Sequence, residues 1–258
     1  MGKVYHLDLD KKTLQGAKVA LLPGDPARSG PIAEAIAKAY GGGVKKLASK
    51  REFLTHMASV GKTPVIVTST GIGGPSTAIA IDELARLGIK SFIRVGTTGS
   101  IQNNINTGDV IITTGSVRLD GASHHYAPIE YPAVADFSLV AMLVEGAKKS
   151  RVKYHTGVTV SSDTFYPGEE RGDSYRKYII RSLRGATEEW RNLHALNYEM
   201  ESATLLTVTA SMGLKGACVT GVVNRGGVGK IITANLKLGE KNAITVVVSS
   251  LKEITRLL

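Results

Sequence analysis

The chain has 258 residues, of which 43% are hydrophobic, and its 32 Lys and Arg residues against 22 Asp and Glu residues give a net charge of +10. A chain of this size and composition can bury a large core, and its single cysteine, Cys218, excludes an intrachain disulfide and leaves no cysteine cluster for a metal site. The first residues lack the apolar core of a signal peptide and no segment approaches the roughly 18 apolar residues of a membrane span, so we expect a soluble cytoplasmic protein.

The apolar pattern predicts strands that alternate with helices along the chain. Strands are predicted at 18–22, 52–60, 63–69, 91–95, 109–118, 155–161 and 217–223, and helices at 28–40, 76–87, 135–149, 198–212 and 239–257. No linker, low-complexity tract or internal repeat interrupts this alternation, so we expect one domain over residues 1–258. The predicted fold class is α/β, with a central mixed, largely parallel sheet, helices on both faces, and ligands at the carboxyl ends of the strands.

Three arginines lie where anions could bind. Arg28 follows the Pro-Gly-Asp-Pro turn 23–26 at a helix start, Arg94 ends a strand just before a Gly-Thr pair, and Arg51 lies in the segment 48–53. Backbone N–H groups that converge beside a guanidinium suit a phosphate, although each arginine alone is better explained as a surface or structural side chain. The segment 226–230, Gly-Gly-Val-Gly-Lys, resembles half of a phosphate loop but lacks the full spacing and the following Ser or Thr.

The segment 197–202, Asn-Tyr-Glu-Met-Glu-Ser, sets two carboxylates around a thioether at the start of an apolar helical run. Carboxylates near a helix start can accept hydrogen bonds from the hydroxyl groups of a ribose, and a methionine supplies an apolar surface for the sugar ring. The alternative is a capped amphipathic helix with solvated acidic residues.

Five motifs occur together and in order, and their combination is far more specific than any one of them. They are the segments 23–28 (PGDPAR), 69–76 (STGIGGPS), 94–99 (RVGTTG), 161–168 (SSDTFYPG) and 197–202 (NYEMES). From about His6 to Arg225, the chain resembles the pyrimidine branch of the hexameric nucleoside phosphorylase family. The resemblance implies a sheet that bends into a partial barrel and a homohexamer, assembled as a trimer of dimers, with active sites shared between subunits.

The resemblance also implies where the substrates bind. The implied phosphate-binding residues are Gly24, Arg28, Arg94 and Thr97, with Arg51 of the partner subunit. The implied ribose-binding residues are Glu199, Met200 and Glu201, with His6 of the partner subunit. The implied base-binding residues are Phe165, which would stack on the base, and Glu169 and Arg171, which would read its polar edge. The positions of Glu52, Ile72 and Ser76 match residues that hold a monovalent cation, such as potassium, between subunits in some relatives.

The implied reaction is the phosphorolysis of uridine to uracil and ribose 1-phosphate, with inorganic phosphate as co-substrate and no required cofactor or metal. A phosphate held by arginines is both the nucleophile and a stabilising charge for a cationic C1′, so Arg28 and Arg94 are predicted to be catalytic. Arg171 is the third predicted catalytic residue, because it would favour the anionic base as it departs. A purine phosphorylase of this family would carry an Asp after the strand 217–223, where this chain reads Asn-Arg-Gly-Gly, which favours a pyrimidine base.

Glu169 departs from the family pattern, which has Gln at this position. A glutamine both accepts and donates hydrogen bonds, whereas an ionised glutamate only accepts them. Three alternatives follow: Glu169 is protonated and donates, it turns away to pair with Arg171, or the base preference has moved from uracil.

Two other functions remain open from the sequence. A nucleosidase of the same fold would use water in place of phosphate, although three arginines would then surround an anion site without an anion. A basic nucleic-acid-binding oligomer is compatible with the charge of +10, but the lysines are dispersed or paired, without a dense basic run or interleaved aromatic residues. We therefore expect small-molecule substrates, no nucleic acid and no membrane.

Overall fold

The computed structural model describes residues 2–225 and 232–257, which form ten strands and six α-helices. The strands are β1 (Val19–Leu22), β2 (Lys45–Lys50), β3 (Phe53–Val60), β4 (Thr63–Thr68), β5 (Ser91–Ser100), β6 (Val110–Leu119), β7 (Ala133–Val134), β8 (Tyr154–Ser162), β9 (Asn197–Glu199) and β10 (Lys215–Arg225). The helices are α1 (Ser29–Tyr40), α2 (Gly74–Leu87), α3 (Phe137–Ser150), α4 (Ala186–Asn192), α5 (Ser202–Ser211) and α6 (Thr233–Arg256). None of the helices in these two ranges is both long and apolar enough to cross a membrane.

All ten strands belong to one sheet that closes partly on itself. The strand order is β10-β6-β8-β9-β5-β1-β4-β3-β2, with β7 on the edge of β6, and β10 also pairs with β5. Five strands (β5, β10, β6, β8 and β9) therefore form a closed ring, and β1, β4, β3 and β2 extend from β5 as an open arm. The prediction of a mixed sheet in a partial barrel is confirmed. Parallel pairs make up half of the ten pairings rather than most of them.

Both faces of the sheet are covered, as the alternation along β1 shows. Val19 and Leu21 pack into one apolar cluster with residues of α1, α3 and α6, whereas Ala20 and Leu22 pack into a second cluster with residues of α2 and α5. Successive side chains of a strand point to opposite faces, so a strand buried on both faces reads as a continuous apolar run. This burial holds the carboxyl ends of β1 and its neighbours in fixed positions.

The structure corrects the predicted helix at 198–212. Asn197–Glu199 form the short strand β9, which lies between β5 and β8, and helix α5 begins only at Ser202. A three-residue strand is too short to show a period in the sequence, and the two-residue strand β7 was missed for the same reason. Strand β2, of six residues, was also not predicted. Helix α6 begins at Thr233, earlier than the predicted 239, while the glycine-rich segment 226–230 lies outside the described residues.

Candidate active site

A cavity of about 610 Å³ opens at the carboxyl ends of the strands. Its walls come from the loops after β1, β4 and β8, from the second half of β5, from the turn between β9 and α5, and from the end of β10. A volume of this size is within the range of about 300–1,000 Å³ that small-molecule sites occupy. The position is the one expected for a ligand site in an α/β sheet.

Most of the site residues predicted from the sequence meet in this cavity. The predicted residues that line it are Gly24, Arg28, Arg94, Thr97, Phe165, Glu169, Arg171, Glu199, Met200 and Glu201, with Ile72 at its margin. His6, Arg51, Glu52 and Ser76 do not line the cavity of their own chain. The chain therefore brings one substrate-sized group of residues together without any contribution from a second subunit.

Two guanidinium groups flank Gly24. A methyl group built on Gly24 would lie 3.6 Å from Nη2 of Arg28 and 3.8 Å from Nη1 of Arg94. The glycine backbone is held in place because its carbonyl oxygen accepts a hydrogen bond of 2.9 Å from the N–H of Gly71. A side chain at this position would fill the space between the two cations, so the glycine keeps open a pocket with two positive walls.

Arg94 is buried between two carboxylates. Its Nε lies 3.1 Å from Oε2 of Glu199, and its Nη2 forms an ion pair with Oε2 of Glu201. Burial lowers the pKa of Arg94, but Glu201 and Glu199 outweigh burial and the net pKa is raised, so the group stays charged. Its Nη1 has no hydrogen-bond partner among the described residues although it is buried. An anion beside Gly24 would satisfy this donor.

Arg28, which directly precedes helix α1, lines the same pocket. Burial and the charge of Arg94 lower the pKa of Arg28, because two guanidinium groups in a poorly solvated space repel each other. Its Nε lies 3.6 Å from a carboxylate oxygen of Glu240 in helix α6. A bound anion would relieve the repulsion between the two arginines, so the free pocket favours negative charge.

The carboxylate oxygens of Glu199 accept hydrogen bonds from groups of the protein itself. Oε1 accepts hydrogen bonds from the backbone N–H and the hydroxyl of Ser202, and Oε2 accepts from the N–H groups of Glu201 and Ser202 and from Arg94. A carboxylate has about four lone-pair sites, and these contacts occupy them. Glu199 therefore fixes both Arg94 and the first turn of helix α5.

Glu201 keeps free capacity as an acceptor. Its Oε1 accepts a hydrogen bond of 2.6 Å from the N–H of Gly73, and its Oε2 contacts Arg94. Burial raises the pKa of Glu201, Arg94 opposes this shift, and the nearby charge of Glu199 adds to it. Each carboxylate oxygen can still accept a further hydrogen bond, so Glu201 can receive two hydroxyl groups from a ligand.

An aromatic ring, a carboxyl group and a guanidinium form the opposite wall. The guanidinium of Arg171 lies over the ring of Phe165, at 4.3 Å from its centroid, and also contacts Asp173. Glu169 is only 7% exposed. Burial raises its pKa to about 8, as do the charges of Glu199 and Glu201, while Arg171 lowers it. At neutral pH this carboxyl group is therefore mostly protonated.

The neighbouring glutamate points the other way. Glu170 has a positive φ of 53°, and its carboxylate accepts hydrogen bonds from the N–H groups of Gly185 and Thr187 at the start of helix α4. This capping interaction holds the loop after β8 and directs Glu169 into the cavity.

The residues predicted to act across a subunit boundary lie elsewhere on the chain. His6 donates its backbone N–H to Glu83, and its Nδ1 lies 2.8 Å from Oε1 of the same residue. The side chain of Arg51 is exposed. Ser76 lies close to Ile72, because its hydroxyl is 3.3 Å from the carbonyl oxygen of Ile72.

Further residues of the cavity were not among those predicted from the sequence. They are Asp25, Pro26, Gly71, Thr98, Gly99, Tyr198, Val223 and Asn224. Most of them lie inside or next to the five motifs, so membership of a motif is the sequence feature that could have identified them. Glu240, which contacts Arg28 from a helix more than 200 positions later, had no such signal.

Comparison with known proteins agrees with this fold and site. Residues 18–252 match the model of the phosphorylase superfamily, and the chain belongs to this family. It is 52% identical to the uridine phosphorylase of Escherichia coli (strain K12) over 252 residues, which cover 97% of the chain and 98% of that protein. It is 48% identical to the uridine phosphorylase of Haemophilus influenzae over 251 residues, with the same coverage. It is also 33% identical to the guanosine phosphorylase of Halorubrum lacusprofundi over 219 residues, which cover 85% of the chain and 82% of that protein.

Proposed function

We propose that the chain catalyses the phosphorolysis of uridine, in which inorganic phosphate displaces uracil and ribose 1-phosphate is formed. The observation that carries the proposal is the pair of guanidinium groups around Gly24, next to the buried carboxylate of Glu201. An anion site beside a hydroxyl-binding carboxylate suits a phosphate that attacks a sugar. The similarity to uridine phosphorylases over nearly the whole chain supports uridine as the substrate.

In the proposed mechanism, phosphate binds between Arg28 and Arg94, with the backbone of Gly24 and the hydroxyl of Thr97 as further contacts. The phosphate attacks C1′ as the bond to the base breaks, and its negative charge stabilises the cationic character of C1′. Fixed arginines hold the nucleophile in line with C1′, so positioning supplies much of the acceleration. Arg51 of the partner subunit would complete the charge around the phosphate.

The ribose would lie on Met200, with its two hydroxyl groups donating to Glu201. Glu199 would act on the ribose mainly through Arg94, since internal donors already occupy its oxygens. His6 of the partner subunit would reach the 5′-hydroxyl. The sugar therefore sits between the phosphate pocket and the base pocket of the same cavity.

The base would stack on Phe165, with its polar edge against Glu169 and Arg171. A protonated carboxyl group has one donor and one acceptor, as an amide has, so neutral Glu169 can accept from N3–H of uracil and donate to a carbonyl oxygen. Arg171 would stabilise the negative charge that develops on the departing base. We therefore expect retained uridine turnover that depends on the protonation of Glu169.

The assembly and the ions belong to the same proposal. We propose a cytoplasmic homohexamer, built as a trimer of dimers, that needs no cofactor beyond its co-substrate phosphate. A potassium ion would lie at the subunit boundary, held by Glu52, Ile72 and Ser76. The proximity of Ile72 and Ser76 supports this site.

The test is to measure uracil release from uridine with and without inorganic phosphate, and to identify the sugar product by phosphorus NMR. Ribose 1-phosphate, formed only when phosphate is present, supports the proposal. Free ribose, formed equally without phosphate, would indicate a nucleosidase. No base release, together with salt-dependent binding of a polynucleotide, would indicate a nucleic-acid-binding protein.

A further inference from the structure

The protonation of Glu169 changes the pattern of hydrogen-bonding groups that the base pocket presents. The neutral carboxyl group offers one donor and one acceptor, whereas the ionised group offers two acceptors. Arg171, close in the sequence and on the same wall of the cavity, offers only donors. The pocket therefore has two states, which are complementary to two different base edges.

Each state fits a base with a known edge. The neutral state fits uracil, whose hydrogen-bonding edge consists of a carbonyl oxygen, the ring N–H and a second carbonyl oxygen. The ionised state fits an edge that consists of a carbonyl oxygen, a ring N–H and an amino group. The carboxylate would accept hydrogen bonds from the ring N–H and the amino group, while Arg171 would donate to the carbonyl oxygen. A 2-amino-6-oxopurine has this edge, and a glutamine in place of Glu169 would set its amide N–H groups against the amino group.

We propose that the cavity also binds and cleaves nucleosides of a 2-amino-6-oxopurine, such as guanosine, with the carboxylate of Glu169 as the residue that selects the base. The proposal rests on the phosphorolytic reaction proposed above, but it does not require uridine to be a substrate. A phosphate oxygen forms a bond to C1′ as the C1′–N9 bond breaks. The segment 224–227 holds no Asp that could protonate the departing purine, so the electron pair leaves with the purine and the purine anion takes its proton from water.

The surroundings of Glu169 place its titration near neutral pH. It is buried in the loop after β8, Arg171 of the same loop favours its ionised form, and Glu199 and Glu201 across the cavity disfavour it. Burial is the main cause and, with the charges of Glu199 and Glu201 and against that of Arg171, it raises the pKa of Glu169 to about 8. A base with two donors favours the ionised form, so guanosine binding should release a proton, whereas uridine binding should retain it.

The experiment measures kcat/KM for uridine and for guanosine between pH 6 and 8.5, a range in which the ring N–H groups of both bases stay protonated. Because kcat/KM follows the titration of the free enzyme, the guanosine value should rise up to about tenfold per pH unit below pH 8. The uridine value should stay level in this range and then fall as the pH passes 8. Proton release, measured in weakly buffered solution on adding guanosine without phosphate, gives a second readout that needs no turnover.

Glu169→Gln is the informative variant, and Glu188→Gln on the exposed face of helix α4 is the matched control. We expect Glu169→Gln to lower guanosine kcat/KM on the order of 100-fold, to abolish proton release, and to remove the pH dependence of uridine kcat/KM in this range. The control should behave as the unmodified protein.

Each outcome decides the question. Uridine cleavage without guanosine cleavage or guanosine-linked proton release overturns the inference and leaves the proposed function intact. Guanosine cleavage that rises with pH, without uridine cleavage, supports the inference and overturns uridine as the substrate. Cleavage of neither nucleoside with phosphate overturns both, and guanosine cleavage that is unchanged in Glu169→Gln removes Glu169 as the selecting residue.

Discussion

Arg94→Ala removes the guanidinium that contacts both Glu199 and Glu201 in the buried centre of the site. The substitution should have two separate consequences, because Arg94 contacts two buried carboxylates and, in the proposed mechanism, also binds the phosphate. Removing one partner of a buried ion pair leaves an uncompensated charge, which costs about 3–5 kcal/mol. Loss of the phosphate contact should lower turnover by about two to three decades.

The stability loss should depend on pH. Burial already raises the pKa of Glu201, and without Arg94 this pKa should rise further. A carboxyl group with a raised folded-state pKa contributes stability that is fully present below its unfolded pKa, near 4.3, and is lost as the pH rises through the folded value. The melting temperature of Arg94→Ala should therefore be closer to that of the unmodified protein at pH 5 than at pH 8.

The assay is thermal unfolding at one protomer concentration and two pH values, with uridine turnover at saturating phosphate measured on the same samples. At pH 8 we expect a decrease on the order of 10 °C in the melting temperature. The double variant Arg94→Ala, Glu201→Gln should recover part of this decrease, because it removes a buried charge, but it should recover no activity. An Arg94→Ala protein with unchanged melting at pH 8 and near-normal turnover would refute the reasoning.

Three further predictions concern other parts of the chain. Mixing inactive Arg51→Ala with inactive Glu201→Ala should restore activity in mixed oligomers verified by mass, and mixed but inactive oligomers would exclude a shared site. Glu240→Gln should raise the KM for phosphate a few-fold with little change in kcat, since Arg28 loses its charged partner; an unchanged KM would show that the contact does not position Arg28. Gly146→Ala should destabilise the protein by about 1–3 kcal/mol in denaturant unfolding, because the added methyl would overlap a serine hydroxyl of helix α6; equal stability would show that helices α3 and α6 can separate at no cost.

The part of the site that the sequence predicted consists of short segments at the carboxyl ends of strands, although 94–99 lies within β5, which extends to Ser100 rather than ending at the predicted residue 95. The turn 23–26, the 94–99 segment and the 161–168 segment each come directly after or within an apolar run, and the carboxyl ends of neighbouring strands meet at one edge of a sheet. Local patterns therefore predicted that Arg28, Arg94 and the loop after β8 lie at one site, and all three line the cavity. The same patterns carry no information on which side chains then pair, since Arg94 and Glu199 are separated by 105 positions.

The mistaken start of helix α5 also concealed the role of Glu199. A helix beginning at Tyr198 would place Glu199 in the first turn, with its carboxylate available to solvent or to a ligand. In the structure, β9 ends at Glu199 and the chain turns before Ser202, so the carboxylate folds forward onto the N–H groups of Glu201 and Ser202. The N–H groups at a helix start need such acceptors, and here Glu199 supplies them while it also orients Arg94.

The two adjacent glutamates after β8 show why a local motif does not determine chemistry. Glu169 and Glu170 are the same type of residue at adjacent positions. Glu170 adopts a left-handed backbone conformation and caps helix α4, whereas Glu169 is buried beside Arg171. Burial raises the pKa of Glu169, and the charges of Glu199 and Glu201 in the same cavity add to the shift. The different surroundings of these two adjacent carboxyl groups therefore arise from the fold, which buries Glu169 in the cavity and brings Glu170 to the start of helix α4.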